Sequence, residues 1–257
     1  MPQSFALITG ASSGIGLELA KLCAAGGHSL ILVARSTGRL EALAANLEKS
    51  HGVEAKALPA DLADPAAPDS VFERARAETI DILINNAGFG VRGPFAETDW
   101  SVEQRLLQVN ITALARLTKL FLPQMLGRRS GRILNVASTA AFVPGPLMAM
   151  YYASKAFVLS FSEAVANELQ GSGVTMTVLC PGPTRTDFSA AAGISDSNLF
   201  KGSSMSAEEV ARIGFDAMMA GKTEAIAGAR NRWMMRGVRL VPRATLAAFT
   251  RRLNSSA

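Results

Sequence analysis

The chain has 257 residues, of which 49% are apolar and 18% are charged. This length is near the upper limit for one hydrophobic core, and the apolar content is enough to fill it, so we expect one folded domain and exclude a disordered chain. Two cysteines are too few for a disulfide framework. The two histidines, His28 and His51, lack metal-ligand spacing, so no metal site is expected.

The net charge of +5 is unevenly distributed. Residues 225–257 contain seven arginines and no acidic residue, so the rest of the chain carries a net charge of −2. A basic end argues against general nucleic-acid binding and places any anionic partner at the C-terminus. The first residues do not resemble a secretory signal, and no apolar run reaches the ~18 residues of a spanning helix. A cytoplasmic protein is expected.

Short apolar runs alternate with amphipathic segments along the whole chain. In chain order, the pattern predicts strands at 4–9, 28–34, 52–59, 80–85, 131–138, 173–180 and 223–227. Between them it predicts helices at 14–26, 38–50, 69–79 and 101–128, and one that contains the tyrosines and ends near 171. Several strands are continuously apolar, which is typical of a parallel sheet covered on both faces. We therefore predict a doubly wound α/β fold of about seven mostly parallel strands, with a long mobile loop at 189–206.

A glycine-rich turn, TGASSGIG, follows the first strand and opens the first helix. Gly10 permits a tight turn, Gly14 lets a pyrophosphate approach the backbone, and Gly16 allows close packing of the helix. The start of the helix offers free N–H groups and the positive end of its dipole to an anion. The turn therefore predicts a dinucleotide site, to which Ser12, Ser13 and Ile15 also contribute.

The end of the second strand distinguishes NADP(H) from NAD(H). Arg35 stands where an acidic residue would bind the ribose 2′-hydroxyl, and Arg39 follows four residues later. A guanidinium pairs with a 2′-phosphate that a carboxylate would repel, so NADP(H) is favoured. The alternative is that both arginines are solvated surface residues. After the third strand, Asp61 and Leu62 are expected to face the adenine, although Asp61 could also serve only as a loop or cap acid.

Six motifs occur in order over about residues 5–187. They are TGASSGIG, NNAG at 85–88, Asn110 in QVNIT, Ser138 in NVAS, Tyr151 with Lys155 as Tyr-x-x-x-Lys, and PGPTRT at 181–186. With this set, the chain resembles the short-chain dehydrogenase/reductases, and among them the bacterial reductases of the DltE-like group. The resemblance implies that Asn86, Ala87 and Gly88 line the adenosine side of the cofactor. It also implies that the nicotinamide is flanked by Pro181, Gly182, Thr184 and Thr186.

Tyr151 and Tyr152 are the two tyrosines of the chain, and Lys155 follows them. A free phenol, with a pKa of about 10, holds its proton tightly, and a fixed ammonium within about 4–6 Å lowers that pKa. Helix geometry brings either phenol near Lys155, at spacing i, i+4 for Tyr151 or i, i+3 for Tyr152. The family resemblance selects Tyr151 as the proton donor.

The same resemblance implies the remaining roles. Ser138 would bind the substrate carbonyl, and Lys155 would also hold the nicotinamide ribose. Asn110 would interrupt a long helix and position a water that links Lys155 to solvent as a proton relay. The expected activity is reversible NADPH-dependent reduction of a carbonyl to an alcohol by a homodimer or homotetramer. Two alternatives remain open: an epimerase or dehydratase on the same fold, and a nucleotide-sensing protein without turnover.

Apolar residues predict a lipophilic substrate. The segment TAAFVPGPLMAM lies between Ser138 and Tyr151, and Phe89, Val91 and Phe188 follow cofactor motifs. We expect these residues around the substrate, although Met and Phe near a helix start also commonly belong to a core.

The C-terminal segment departs from the family core. We expect residues 1–228 to form the dinucleotide-binding catalytic domain and residues 229–257 a basic amphipathic extension packed on it. On a helical wheel, Arg232, Arg236, Arg239 and Arg243 fall within about 60°. The residues that lie largely opposite are Trp233, Met234, Val238, Leu240 and Val241. The extension is interpreted as a cover for the cleft or a subunit interface, and the alternative is a helix that rests weakly on an anionic membrane surface.

Overall fold

The computed structural model describes residues 4–188, 192–193 and 204–255. Within these residues, a parallel seven-stranded sheet has the order β3-β2-β1-β4-β5-β6-β9. Its strands are β1 (Ser4–Thr9), β2 (Ser29–Ala34), β3 (Ala55–Pro59), β4 (Thr79–Asn85), β5 (Gly131–Val136), β6 (Val174–Cys180) and β9 (Glu224–Ile226). Two short strands, β7 (Thr184–Arg185) and β8 (Met205–Ser206), pair separately. Most of the loop predicted at 189–206 lies outside the described residues.

Helices connect these strands and cover both faces of the sheet. In the described ranges they are α1 (Gly14–Ala25), α2 (Thr37–His51), α3 (Ala67–Ala75), α4 (Trp100–Leu107), α5 (Leu114–Arg128), α6 (Ala149–Glu168), α7 (Ala207–Met219), α8 (Ala229–Gly237) and α9 (Arg243–Asn254). One buried cluster joins the sheet to α1, α2 and α7, and a second joins it to α3 and α5. This arrangement confirms the doubly wound α/β fold and explains why the strands are apolar on both sides.

The sheet order reverses between β1 and β4, because the chain runs outward from β1 in one direction and then returns to its other side. In such sheets the loops at the carboxyl ends of the two central strands separate and leave a crevice. The glycine-rich turn after β1 and the segment 85–88 after β4 both lie at this crevice. The fold therefore brings together two motifs that are 75 residues apart.

The helix predicted at 101–128 is not continuous. A π-helical turn, Gln108–Ala113, separates α4 from α5, and it contains the buried Asn110. π-turns widen the backbone locally and occur frequently at functional sites. The interruption lies where the family resemblance implies it, at Asn110, whereas the apolar pattern on both sides of the turn is helical and does not itself reveal it.

The C-terminal segment also differs from the single amphipathic helix assumed on the helical wheel. α8 passes into a short 3-10 turn, Val238–Leu240, and Pro242 precedes a separate helix, α9. The division of the chain at residue 228 remains a prediction. No helix in the described part of the chain combines the length and apolarity that crossing a membrane requires.

Candidate active site

The crevice opens into a cleft of about 930 Å³ that extends from the glycine-rich turn to Tyr151. Gly10 and Gly14 have positive φ angles of 65° and 56°, a conformation that residues with a Cβ rarely adopt. A Cβ at Gly10 would lie 2.7 Å from Asn86 Nδ2, and one at Gly16 would overlap the Gly10 carbonyl oxygen. Position 16 is a glycine because any side chain there would collide with the glycine-rich turn. This contact adds to the close packing of helix and sheet that the sequence predicted for Gly16.

Thr9 and Asn86 hold the glycine-rich turn against the end of β4. Thr9 Oγ1 accepts hydrogen bonds from the backbone N–H groups of Asn86 and Ala87, each over 3.0 Å. Asn86 Nδ2 in turn donates to the Thr9 and Gly10 carbonyls over 2.9 and 3.2 Å. The side chain of Asn86 therefore shapes the turn, while Ala87 and Gly88 line the cleft.

Arg35 and Arg39 stand exposed on the wall of the cleft after β2. Arg39 Nη1 lies 3.8 Å from Asp187 Oδ2 across the cleft, with both side chains largely solvent-exposed. Such an exposed pair contributes at most about 1 kcal/mol, so it does not lock Arg39 in place. Neither arginine is buried in packing, and both guanidinium groups can reach a ligand at this end of the cleft.

Asp61 and Leu62 line the same end of the cleft, close to α4. Asp61 Oδ1 accepts a hydrogen bond from the Ala63 N–H, and Asp61 Oδ2 lies 3.3 Å from Arg105 Nη2. Asp61 is thus both a turn acid and a cleft residue. The turn hydrogen bond does not keep Asp61 out of the cleft, and its contact with adenine stays a prediction.

Ser138, Tyr151 and Lys155 meet at the other end of the cleft. Ser138 follows β5, where its Oγ accepts a hydrogen bond from the Ala140 N–H over 3.1 Å and donates one to the Pro181 carbonyl over 3.4 Å. The Ser138 hydroxyl is also close enough to Tyr151 to lower the pKa of the phenol. Lys155 Nζ lies 5.8 Å from the centre of the Tyr151 ring and donates to the Val136 carbonyl over 2.9 Å. The i, i+4 spacing on α6 therefore brings the ammonium beside the phenol.

The pKa of Tyr151 moves in the direction opposite to the one predicted. Burial raises the pKa of this phenol above its ordinary value, and the hydrogen bond with Ser138 acts against that rise. The expected lowering of this pKa by Lys155 is not seen in this arrangement, because burial is the largest cause of the shift and Lys155 is not among its causes. Lys155 is itself buried, and burial lowers its pKa to about 8.

Asn110 connects the π-turn to the cleft floor. Its Oδ1 accepts a hydrogen bond from the Phe89 N–H over 3.1 Å, and its Nδ2 donates to the Phe89 carbonyl and to Ser154 Oγ, each over 3.0 Å. Ser154 is the residue before Lys155 and was not among the predicted site residues. The amide of Asn110 therefore ties the segment after β4 to α6 close to the buried lysine.

The segment after β6 lines the cleft beside Tyr151 and Lys155 with Pro181, Gly182, Thr184 and Thr186. Thr184 Oγ1 donates to the Gly182 carbonyl over 2.9 Å. Asn231 of α8 packs directly on Gly182, where a Cβ would overlap its side chain. Helix α8 thus supports a wall of the cleft. Because Gly182 and Asn231 are 49 positions apart in sequence, no local sequence pattern predicts this contact.

The substrate end of the cleft is apolar. Tyr151 lies in a cluster with Met148, Tyr152 and Phe188, and the centres of the Tyr151 and Phe188 rings are 5.4 Å apart. A Cβ at the buried Gly90 would lie 3.2 Å from both Met148 Cε and Phe188 Cζ, so these side chains pack closely across the pocket. Phe89 and Val91 also line the cleft, as expected from the sequence.

The glycine-rich turn lies at the switch point of a parallel sheet, and the Ser–Tyr–Lys group lies at the far end of the same cleft. This arrangement defines a dinucleotide-dependent oxidoreductase of the α/β class. Sequence comparison gives the family: a model described as short chain dehydrogenase matches residues 4–196. The chain belongs to the short-chain dehydrogenase family. Members of this family are oxidoreductases that use a nicotinamide dinucleotide.

Similarity to individual proteins extends over most of the chain. A very-long-chain 3-oxoacyl-CoA reductase of Phaeosphaeria nodorum is 40% identical over 177 residues, which cover 66% of this chain and 52% of that reductase. The chain thus spans about half the length of this curated relative. A short-chain dehydrogenase from Sphingobium yanoikuyae, solved in complex with NADPH, is 37% identical with a TM-score of 0.84, covering 93% of this chain and 94% of that one.

A second solved structure holds the other cofactor. The short-chain dehydrogenase/reductase from Burkholderia phymatum, in complex with NAD, is 25% identical with a TM-score of 0.83, covering 93% of this chain and 95% of that one. Similar structures therefore contain either dinucleotide. The resemblance to the DltE-like group stays a prediction.

Proposed function

We propose that the protein is an NADPH-dependent carbonyl reductase that reversibly converts a lipophilic ketone or aldehyde to the alcohol. The observation that supports this proposal is the group formed by Ser138, Tyr151 and Lys155 at one end of the cleft, with the glycine-rich turn at the other. Bound NADPH would supply the hydride, and the chain must then orient the carbonyl and deliver a proton.

Tyr151 is the proposed proton donor. Because burial raises the pKa of its phenol, Tyr151 keeps its proton at neutral pH until an alkoxide forms. An alkoxide is a far stronger base than a phenolate, so the transfer is favourable despite the raised pKa. Ser138 and Tyr151 line the same end of the cleft, so a substrate oxygen there would meet two hydroxyl donors, of which Ser138 would stabilise the developing negative charge.

Lys155 stabilises the phenolate that remains after proton transfer. Its ammonium stands beside the Tyr151 ring, and the hydrogen bond to the Val136 carbonyl fixes its orientation. The two further N–H donors of this ammonium are available to the ribose hydroxyls of the nicotinamide. Asn110 acts as a positioning residue, since its amide bonds to Phe89 and Ser154 hold the floor of the cleft against α6.

The residues along the cleft fit an NADP(H) molecule. The positive φ angles of Gly10 and Gly14 bring backbone close to a pyrophosphate at the start of α1, with Ser12, Ser13 and Ile15 beside it. Arg35 and Arg39 are the proposed partners of the 2′-phosphate, because their exposed guanidinium groups line the cleft after β2. Asp61 and Leu62 are proposed to contact the adenine, with Asn86, Ala87 and Gly88 on its ribose side.

A lipophilic substrate is proposed because Met148, Phe188 and the Tyr152 ring form the wall beside Tyr151. The matched reductase of Phaeosphaeria nodorum is named for a long-chain 3-oxoacyl substrate, which suits an apolar pocket of this kind. We also propose a homo-oligomer, because Trp100 on α4, Leu126 on α5 and Phe157 on α6 leave apolar side chains exposed.

The test is a panel of ketones, aldehydes and 3-oxoacyl thioesters of increasing chain length, assayed by the loss of NADPH absorbance with NADH as the control. We expect turnover with NADPH that improves as the apolar chain lengthens. Isomerisation of an alcohol without net cofactor consumption would instead indicate an epimerase. Binding of NADPH without turnover of any substrate would contradict the proposal and favour a nucleotide sensor.

A further inference from the structure

The C-terminal segment leaves apolar side chains exposed on the surface. We define the outward face as Trp233, Met234, Leu240 and Val241, whose side chains are 72%, 45%, 89% and 38% exposed. An exposed tryptophan and a nearly fully exposed leucine so close together in sequence are costly in water unless a partner covers them. This surface is separate from the cleft, because none of these four residues lines it.

The way α8 packs explains why these side chains point outward. Met235 is buried, and Met235 and Val238 pack on the cluster that contains Ile226 at the end of β9. At about 100° per residue, Trp233 lies roughly 160° from Met235 around the helix. The apolar residues placed opposite the arginines on the wheel are therefore divided, and Trp233 stays on the side of α8 that faces away from the protein. Leu240 is exposed in the 3-10 turn that follows α8.

Exposed arginines accompany the outward face. Arg232, Arg236, Arg239 and Arg243 are all exposed, and the Arg236 guanidinium lies 5.6 Å from the centre of the Trp233 ring. No acidic residue occurs from Ala225 to the end of the chain. Glu224, just before this segment, interacts electrostatically with Arg236 and Arg239. The segment therefore combines exposed aromatic and aliphatic side chains with an excess of exposed arginines.

This combination favours one kind of partner. A second copy of the chain, docked face to face, would bring four arginines against the same four arginines, and one glutamate, Glu224, cannot pair them all. An anionic lipid surface matches both features, because phosphate and carboxylate headgroups pair with the arginines while Trp233 and Leu240 enter the boundary between headgroups and acyl chains. We propose that the outward face binds anionic membrane surfaces peripherally.

Intrinsic fluorescence gives a direct test, because the chain contains only two tryptophans. Trp100→Phe leaves Trp233 as the single reporter, and Trp233→Phe leaves Trp100, which is also exposed and lies on α4. The probes are vesicles of phosphatidylcholine alone and of phosphatidylcholine with phosphatidylserine, added to the full chain. We expect a blue shift only for the Trp100→Phe protein and only with the phosphatidylserine vesicles.

Co-sedimentation with the same vesicles measures the strength of binding. Arg232→Gln and Arg239→Gln should each weaken binding about fivefold at low salt, since an arginine near such a surface contributes about 1 kcal/mol. Leu240→Ser should weaken it without changing its salt dependence. Arg76→Gln, an exposed position on the catalytic part of the chain, is the matched control and should have no effect.

Two outcomes would overturn the proposal. One is the absence of both sedimentation and spectral shift with phosphatidylserine vesicles. The other is a blue shift of Trp233 that depends on protein concentration and needs no vesicles, which would assign the face to a contact between copies of this chain. Vesicle binding does not depend on turnover, so failure of the reductase assay leaves this test unaffected.

Discussion

Tyr152 Oη donates a hydrogen bond to Asn254 Oδ1 over 3.1 Å, so the helix that carries the proposed proton donor is tied to α9. Asn254 Nδ2 donates in turn to the Pro146 carbonyl over 3.0 Å, and Thr250 Oγ1 donates to the Pro144 carbonyl. Gly145 lies between these prolines and packs on the Tyr152 ring, where a Cβ would overlap it. The loop before α6, which leads to Met148 in the cleft wall, is thus held by α9 on one side and by the Tyr152 ring on the other.

Tyr152→Phe should destabilise the protein and leave the chemistry intact. Asn254 is fully buried, and the substitution leaves its Oδ1 without this donor, at a cost of about 1–3 kcal/mol. Urea denaturation measures the loss, and a double-mutant cycle with Asn254→Ala isolates the contribution of the pair. Turnover and NADPH binding should stay close to wild type. A loss of turnover with unchanged stability would show that Tyr152 has a chemical role.

Gly16→Ala should weaken both cofactor binding and folding. A Cβ at this position overlaps the Gly10 carbonyl oxygen and approaches Asn86 Nδ2, so the glycine-rich turn must shift, at a cost of about 1–3 kcal/mol. NADPH titration by fluorescence and thermal denaturation measure the two effects. Gly38→Ala in α2 is the control, because no atom lies within 4 Å of the added Cβ. The free energy of unfolding of Gly38→Ala should increase by about 0.5–1 kcal/mol. Equal effects of Gly16→Ala and Gly38→Ala on stability and NADPH binding would refute the packing argument.

Arg35→Glu should change the choice of dinucleotide. Loss of a charge-assisted hydrogen bond to the 2′-phosphate, together with repulsion by the new carboxylate, should weaken NADPH binding by about 10–100-fold. NADH lacks this phosphate, so its binding should change much less. Arg76→Glu, which makes the same charge change on a distant surface, should affect neither cofactor. Equal weakening of NADPH and NADH by Arg35→Glu would exclude the proposed contact.

Comparing wild type with Lys155→Met should show the effect of the buried ammonium on how the free energy of unfolding changes with pH. Burial lowers the lysine pKa to about 8 in the folded chain, whereas an unfolded lysine titrates near 10.5. Below pH 8 both states hold the proton, so the native state carries the full cost of the buried charge, about 3 kcal/mol. Between these pH values the unfolded state binds more protons, so wild-type stability rises with pH.

Urea denaturation at neutral pH and near pH 10 measures this difference. The free energy of unfolding of wild type should increase relative to Lys155→Met as the pH rises. Because the comparison is between two proteins at each pH, the titration of other groups largely cancels. A constant difference across this range would mean that Lys155 keeps its ordinary pKa.

Much of the fold follows from local sequence pattern. Continuously apolar strands such as β2 predict burial on both faces, and the glycine-rich turn marks where the first helix begins. The motif spacing also identified Ser138, Tyr151 and Lys155, which the structure brings to one cleft. These features can be predicted from the sequence because each depends on residues that are close together in it.

Other features depend on contacts that no local pattern contains. The sequence on both sides of Asn110 remains helical in period, so the π-turn there is implied by the family resemblance and not by the local pattern. The bond between Tyr152 and Asn254 joins residues 102 positions apart. The direction of the Tyr151 pKa shift depends on how deeply the phenol is buried, and i, i+4 spacing does not report burial.

The proton donor is the central claim, and Tyr151→Phe tests it most directly when turnover and NADPH binding are measured on the same preparation. Removing the hydroxyl takes away the proton but leaves the ring, its packing on Phe188 and the cofactor end of the cleft. We predict near wild-type NADPH affinity and a loss of turnover of at least about a hundredfold, the lower range for a general acid. Turnover within a few fold of wild type would contradict the account.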